Sequence, residues 1–174
     1  MRILVAGIGN IFFGDDAFGV EVIRALQERA IPPEVYLEDF GIRSYDLAYA
    51  LMDGYDVVIL VDATPRGQTP GTVSLIEPLL DGLDDAPMDI TNAHGLNPAT
   101  VLQMVQTMGG HMGRLYLVGC EPRVLESDDL VLSPPVQAAI PQAVEMILSL
   151  VDTLLADAPV VPSSTVSPKE VNLS

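Results

Sequence analysis

The sequence has few basic residues, a single cysteine and no tryptophan. Lys and Arg number 8 against 24 Asp and Glu, so the formal net charge is −16 at pH 7. Such a charge repels a phosphate backbone and an anionic membrane surface. No uninterrupted apolar run reaches the roughly 18 residues that span a bilayer. We therefore expect neither nucleic acid nor membrane among the partners.

The lone Cys120 cannot form an internal disulfide and offers no cysteine-based metal motif. The N-terminal segment also lacks the long apolar run and small-residue cleavage pattern of a signal peptide. We therefore expect a cytoplasmic protein. Cys120 closes a predicted strand, where a small core residue is expected rather than a nucleophile. The sequence contains neither the GxSxG motif of serine hydrolases nor the HExxH motif of zinc proteases.

Short apolar runs alternate with amphipathic segments along most of the chain. Runs such as DVVILV at residues 56–61 are typical of strands buried on both faces. Strand–helix–strand order favours right-handed crossovers and a largely parallel sheet covered on both faces. The Pro/Gly-rich turn before residues 71–77 also allows an antiparallel edge strand there. The predicted strands are 2–7, 34–38, 56–61, 71–77 and 114–119, and the predicted helices are 15–29, 44–52, 97–108 and 133–156.

The length is that of one domain with one sizeable core, which we place at residues 1–156. Residues 78–93 are rich in Asp, Gly and Pro and are predicted to form a long surface loop. Residues 157–174 lack periodicity and are predicted to form a disordered tail. Pro141 lies inside the last helix and is expected to bend it.

Acidic residues follow two of the predicted strands. In an open parallel sheet, ligands bind beyond the carboxyl ends of the strands, where the strand order reverses. Asp62 comes directly after DVVILV, and the first loop delivers Asp15 and Asp16 to the same edge if the first and third strands are neighbours. A cap or turn role is the alternative for Asp62, and an N-cap role is the alternative for Asp15.

His94 lies in TNAHGLNP, just before a predicted helix. A single loop histidine more often has no catalytic role. Together with Asp16 and Asp62, however, it completes a set of two carboxylates and one imidazole. Such a set suits a borderline divalent ion and leaves positions open for substrate or water. The other histidine, His111, is expected to be exposed in a glycine-rich turn.

A nucleotide site at the first loop is disfavoured. The dinucleotide fingerprint has a third glycine where this chain has Phe12, although Gly7 and Gly9 match the first two. We therefore expect no nucleotide cofactor.

Four motifs resemble those of the hydrogenase maturation endopeptidases: GIGNIFFGDDAFGV, VILVDA, the AH of TNAHGLNP, and LSPPVQAAIPQAVEMIL. They occur in the family's order and spacing over residues 1–155. The resemblance implies an α/β fold, a three-layer αβα sandwich with a mostly parallel, twisted five-stranded sheet. It also implies a protease that removes the C-terminal peptide of a nickel-loaded large-subunit precursor of nickel-iron hydrogenase. Asp16, Asp62 and His94 would bind nickel that arrives with the substrate as its recognition mark, and would carry the catalysis, with Asp16 as the candidate general base.

The segment after the second strand departs from the family pattern. The family often has DGGTxG there, whereas this chain has DFGIRSYDLA, with Phe40 in place of the second glycine. We expect this segment to belong to the substrate-reading surface, so the change bears on which hydrogenase is processed. Arg43 pairs with an acid of the partner or is simply exposed. Two other functions remain open: a noncatalytic escort of the precursor, and a different hydrolase on a similar scaffold.

Overall fold

The computed structural model describes residues 1–78, 98–125 and 130–157. These residues form an α/β fold of strands and helices in alternation. The elements are β1 (Ile3–Ile8), a 3-10 turn (Gly14–Ala17), α1 (Phe18–Gln27), β2 (Val35–Gly41), α2 (Ser44–Leu51), β3 (Val57–Ala63), β4 (Val73–Ile76), α3 (Pro98–Thr107), β5 (Arg114–Cys120) and α4 (Pro134–Ala156).

The five strands form one sheet in the order β2-β1-β3-β5-β4. The first four are mutually parallel, and β4 pairs antiparallel with β5 at the edge. The predicted mostly parallel five-stranded sheet is therefore confirmed, and the antiparallel option for residues 71–77 is the correct one. Backbone bonds beyond the end of β5 extend this edge pairing, since Glu121 N–H donates to the carbonyl of Thr72 over 2.9 Å.

Helices cover both faces of the sheet, which gives the three-layer αβα sandwich. Successive strand residues point to opposite faces, so each strand contributes to two cores. In β3, Ile59 and Val61 pack with residues of α1 and α4, whereas Val58 and Leu60 pack with residues of α2 and α3. This two-sided burial explains why β1 and β3 have nearly continuous apolar sequences.

By length and composition alone, α4 could cross a bilayer, although polar and charged residues interrupt its apolar run. A core helix of a globular protein passes the same test. One stripe of α4, including Val136, Val144 and Val151, is buried in the core beside α1. On its outer face Glu145 pairs with Arg29 over 2.8 Å.

The first helix begins later than predicted. Asp15 and Asp16 lie in the 3-10 turn, and α1 starts at Phe18. Other predicted features, including His94, most of the 78–93 loop and nearly all of the 157–174 tail, lie outside the described residues. The domain bounds and the tail therefore stay predictions, as does a bend at Pro141, through which α4 runs without a break.

Candidate active site at the carboxyl edge of the sheet

The strand order reverses between β1 and β3. The chain passes from β1 to β2 on one side of the sheet, whereas β5 and β4 lie on the other side of β3. Gly7 of β1 pairs with Val61 of β3, which confirms that the first and third strands are neighbours. The carboxyl ends of these two strands therefore border the crevice in which such sheets bind ligands.

Asp62 is the penultimate residue of β3 and is only 7% exposed. Strand alternation places it on the face of Val58 and Leu60, beneath α2 and α3. Its register partner on β5 is Gly119, and the side chain of Thr64 lies over that glycine, since a Cβ there would be 2.6 Å from Thr64 Oγ1. A buried acid thus ends a central strand beside a small polar side chain.

Burial raises the pKa of Asp62 well above its ordinary value, and the charge of Asp16 raises it further. A hydrogen bond from the Ala63 N–H works in the opposite direction. The two carboxylates are therefore close enough to repel each other when both are ionised. A divalent cation between them would relieve this repulsion and would replace part of the lost hydration.

The backbone of the first loop fixes Asp16 in place. The Asn10 N–H donates to Asp16 Oδ2 over 2.9 Å, and the Asp16 N–H donates to the Phe13 carbonyl over 3.0 Å. At Gly9 the backbone has φ +133°, and a Cβ there would lie 1.7 Å from the Asp16 carbonyl oxygen. Only glycine allows the loop to fold back this tightly.

Asp15 is not the N-cap of α1, so that alternative is wrong. Its side chain is 1% exposed and turns toward the far end of the sequence. Its carboxylate accepts hydrogen bonds from the backbone N–H groups of Arg123 (2.8 Å), Val124 (3.2 Å) and Ser133 (2.7 Å), and from the Ser133 hydroxyl (2.8 Å). Asp15 thus ties the turn that carries Asp16 to the segment after β5 and to the start of α4.

Glu121 is a buried acid that the sequence analysis missed. It is 7% exposed and accepts hydrogen bonds from the N–H groups of Arg66 (2.7 Å) and Gly67 (3.2 Å). Glu121 could have been predicted, because it directly follows β5 and therefore lies at the same edge as Asp62. Burial first, and then the charges of Asp15 and Glu121, raise the pKa of the neighbouring Cys120 to about 12. Its thiol stays protonated at neutral pH, which agrees with the core role expected for it.

The segment after β2 also lies at this edge. The Gly9 N–H donates to the Gly41 carbonyl over 3.0 Å, which joins the first loop to the end of β2. The guanidinium of Arg43 donates to the Phe40 carbonyl over 3.2 Å and lies 3.3 Å from a carboxylate oxygen of Asp46. Arg43 is therefore engaged with its own chain, and its pairing with a partner stays a hypothesis.

The structure brings Asp16 and Asp62 together, and His94 lies outside the described residues. Within residues 1–78, 98–125 and 130–157, no three His, Cys, Asp or Glu side chains form a group that could hold a metal ion. His111 is exposed, as expected, and lies at the opposite edge beside Gly113. The described part of the site thus consists of two coupled carboxylates.

Comparison with known proteins gives one consistent result. The sequence model of the family described as hydrogenase maturation protease matches residues 20–150, a segment that includes Asp62 and His94 and begins after Asp16. The hydrogenase 2 maturation protease of Escherichia coli is 35% identical over 154 residues, which cover 86% of this chain and 90% of that protein. The hydrogenase expression/formation protein HupD of Rhizobium leguminosarum is 34% identical over 150 residues, which cover 83% and 71%.

The fold shows the same likeness. The solved structure of the hydrogenase maturating endopeptidase HybD from Escherichia coli superposes with a TM-score of 0.72 at 32% identity. The match covers 88% of this chain and 94% of that one.

Proposed function

The chain belongs to the hydrogenase maturation protease family and is an endopeptidase of hydrogenase maturation, and from this premise we propose its substrate and its mode of recognition. The substrate is the nickel-loaded large-subunit precursor of a nickel-iron hydrogenase, from which the enzyme removes the C-terminal peptide. Substrate-bound nickel is the mark that the enzyme reads. The enzyme acts in the cytoplasm and needs no nucleotide cofactor.

The observation that carries this proposal is the pair of buried, mutually repelling carboxylates at the end of β3 and in the first loop. Burial and the charge of Asp16 raise the pKa of Asp62, so ionising Asp62 beside Asp16 costs free energy. A cation that arrives with the substrate offsets the cost of ionising both carboxylates, and it does so only in the complex of enzyme and precursor. The enzyme therefore discriminates between a metal-bearing precursor and a metal-free one.

We assign the recognition of nickel to Asp16, Asp62 and His94. Two carboxylates and one imidazole suit a borderline divalent ion and leave positions for the precursor's own ligands. The hydrogen bond from the Asn10 N–H holds the carboxylate of Asp16 in one orientation. Docking on the metal brings the scissile bond into the crevice, and positioning of this kind lowers the barrier without new covalent chemistry.

Asp16 is the candidate general base for the water that attacks the scissile carbonyl. Asp62 lies within β3, whereas Asp16 lies in the 3-10 turn after the first loop. Once nickel polarises the water or the carbonyl, a nearby carboxylate needs only to accept one proton.

The test is cleavage of a precursor prepared with and without nickel, followed by mass spectrometry of its C-terminus. The enzyme should shorten the loaded precursor alone, and Asp16→Asn and His94→Ala should leave it intact. Asp53→Asn and His111→Ala are matched controls, because both residues are exposed at the opposite edge, and these variants should cut normally.

Three results would contradict the proposal. Normal cutting by both site variants would remove the site assignment. Stable binding of the loaded precursor with an intact C-terminus would indicate an escort. Turnover of small peptides without any nickel would indicate a hydrolase of another specificity.

A further inference from the structure

The segments at the carboxyl edge carry most of the strongly exposed apolar side chains. Four strands run parallel, so the segments that follow them lie at one edge, and the Ser133–Asp15 bonds bring the start of α4 to it. Six large apolar side chains on these segments are 49% to 72% exposed, and we call them the apolar rim: Phe12, Ile42, Tyr45, Val124, Leu130 and Val131. Among the other large apolar side chains of the described residues, only that of Tyr49 is more than 44% exposed. Tyr49 lies one turn beyond Tyr45 on α2.

The apolar rim is joined to the site by hydrogen bonds. The Phe12 N–H donates to Asn10 Oδ1 over 3.0 Å, and the Asn10 N–H in turn donates to Asp16. On the other side of the crevice, the Val124 N–H donates to Asp15 over 3.2 Å. Single exposed apolar side chains are common on proteins, but a group of them at one edge of a sheet favours an interaction surface. A partner that contacts Phe12 therefore contacts the loop that holds Asp16.

Two arginines at the same edge have no acidic partner among the described residues. Five of the seven arginines, Arg2, Arg24, Arg29, Arg43 and Arg114, form an ion pair with a carboxylate. Arg66 and Arg123 do not, although the chain has three acids for every basic residue. Both are exposed, and buried carboxylates hold their backbones: Glu121 accepts from Arg66 N–H and Asp15 from Arg123 N–H.

We propose, on the basis of the precursor cleavage proposed above, that the apolar rim together with Arg66 and Arg123 is the docking surface for the precursor. The matching surface of the precursor then presents apolar side chains bordered by carboxylates. Apolar contacts supply the area, and the two guanidinium groups select the acidic border and steer its approach. This commitment follows from the local charges, because Arg66 and Arg123 are exposed at this edge and have no ion pair among the described residues, so a carboxylate of the partner can approach them.

The experiment measures KM and kcat for cleavage of the nickel-loaded precursor, and Kd for its binding. Arg66→Glu, Arg123→Glu and Phe12→Ser are compared with Arg114→Glu and Leu75→Ser, which alter exposed residues outside this edge. Each rim variant should raise KM and Kd by on the order of 10-fold with kcat unchanged, and the control variants should stay within about 2-fold of wild type. The effect of the two charge reversals should shrink as salt rises from about 0.05 to 0.5 M. Unchanged melting temperatures show that each variant folds.

Failure of this inference is separable from failure of the proposed function. If the wild type cuts the precursor and the rim variants match the controls in KM and Kd, the docking surface is wrong and the cleavage stands. If the wild type binds the precursor without cutting it, the Kd comparison still tests the docking surface. A wild-type dimer in sedimentation equilibrium that Phe12→Ser dissociates would assign the rim to a second copy of the chain and would overturn the proposal.

Discussion

Among the described residues, the buried acids all lie at the carboxyl edge of the sheet, whereas Asp53 at the amino edge is exposed. At the carboxyl edge, Asp15, Asp16, Asp62 and Glu121 are each at most 7% exposed. At the amino edge, the side chain of Asp53 is 69% exposed and lies 3.4 Å from the guanidinium of Arg2. The guanidinium of Arg2 also lies over the ring of Tyr55, 4.4 Å from its centroid, so Arg2 contacts both Asp53 and Tyr55 at this edge.

This difference in exposure distinguishes acids that only solvate the surface from acids that have a structural or functional role. An exposed pair such as Asp53–Arg2 contributes about 0 to 1 kcal/mol. A buried carboxylate is costly unless hydrogen bonds or a counter-ion compensate it. Backbone N–H groups and a hydroxyl compensate Asp15, and backbone N–H groups compensate Glu121. At Asp62, burial and the neighbouring charge still raise the pKa, so a cation remains favourable there.

Asp62→Asn gives the largest expected effect and tests whether the two edges differ in function. Cleavage of the loaded precursor should fall by at least about 1,000-fold, because loss of a metal-reading ligand exceeds the 10- to 100-fold cost typical of outer-sphere changes. The matched variant Asp53→Asn, at the amino edge, should cut at the wild-type rate. Equal rates for the two variants would remove the distinction between the edges. Single-turnover assays measure both.

Asp15→Ala tests the stability side of the same comparison. The change leaves the N–H groups of Arg123, Val124 and Ser133 without their acceptor, and should lower the free energy of unfolding by about 3 kcal/mol. Asp53→Ala removes only an exposed ion pair and should cost less than about 1 kcal/mol. Urea unfolding of both variants gives the two values. A cost for Asp15→Ala no greater than that for Asp53→Ala would show that the buried bonds do not hold the edge together.

The pH dependence of stability sharpens the contrast at Asp62. Its pKa is raised in the folded state above the ordinary value of 3.8, so the folded protein holds that proton to a higher pH than the unfolded chain does. The stability contribution of Asp62 therefore falls as pH rises from 3.8 through the raised pKa. Relative to wild type, Asp62→Asn should melt at an increasingly higher temperature as pH rises from about 4 to 7. A constant difference across that range would contradict the raised pKa.

Cys120 gives the smallest expected effect. Its raised pKa of about 12 and its burial predict that thiol reagents will not modify the native protein at about pH 8, whereas the unfolded chain will react fully. Mass spectrometry after alkylation with and without urea measures this. Rapid labelling of the native protein would place Cys120 at an accessible part of the edge rather than in the core.

Much of the fold followed from local pattern. The apolar run of β3 and the stripe of α4 predicted buried elements at nearly the observed bounds. The role of Asp15 in the first loop could not be predicted from the sequence. An acid before an amphipathic segment gives the same sequence pattern whether it caps the helix or binds another part of the chain. Asp15 points elsewhere because the start of α4 and the segment after β5 supply donors that are remote in sequence.

Periodicity and residue type, which depend only on neighbours along the chain, determined that this protein has a largely parallel sheet covered on both faces, with acids after its predicted strands. Only the tertiary structure decided that β1 and β3 are adjacent, that Asp16 raises the pKa of Asp62, and that Asp15 and Glu121 hold loops. Burial and electrostatic coupling depend on distances through space, and the strand order that sets those distances comes from the packing of the whole sheet.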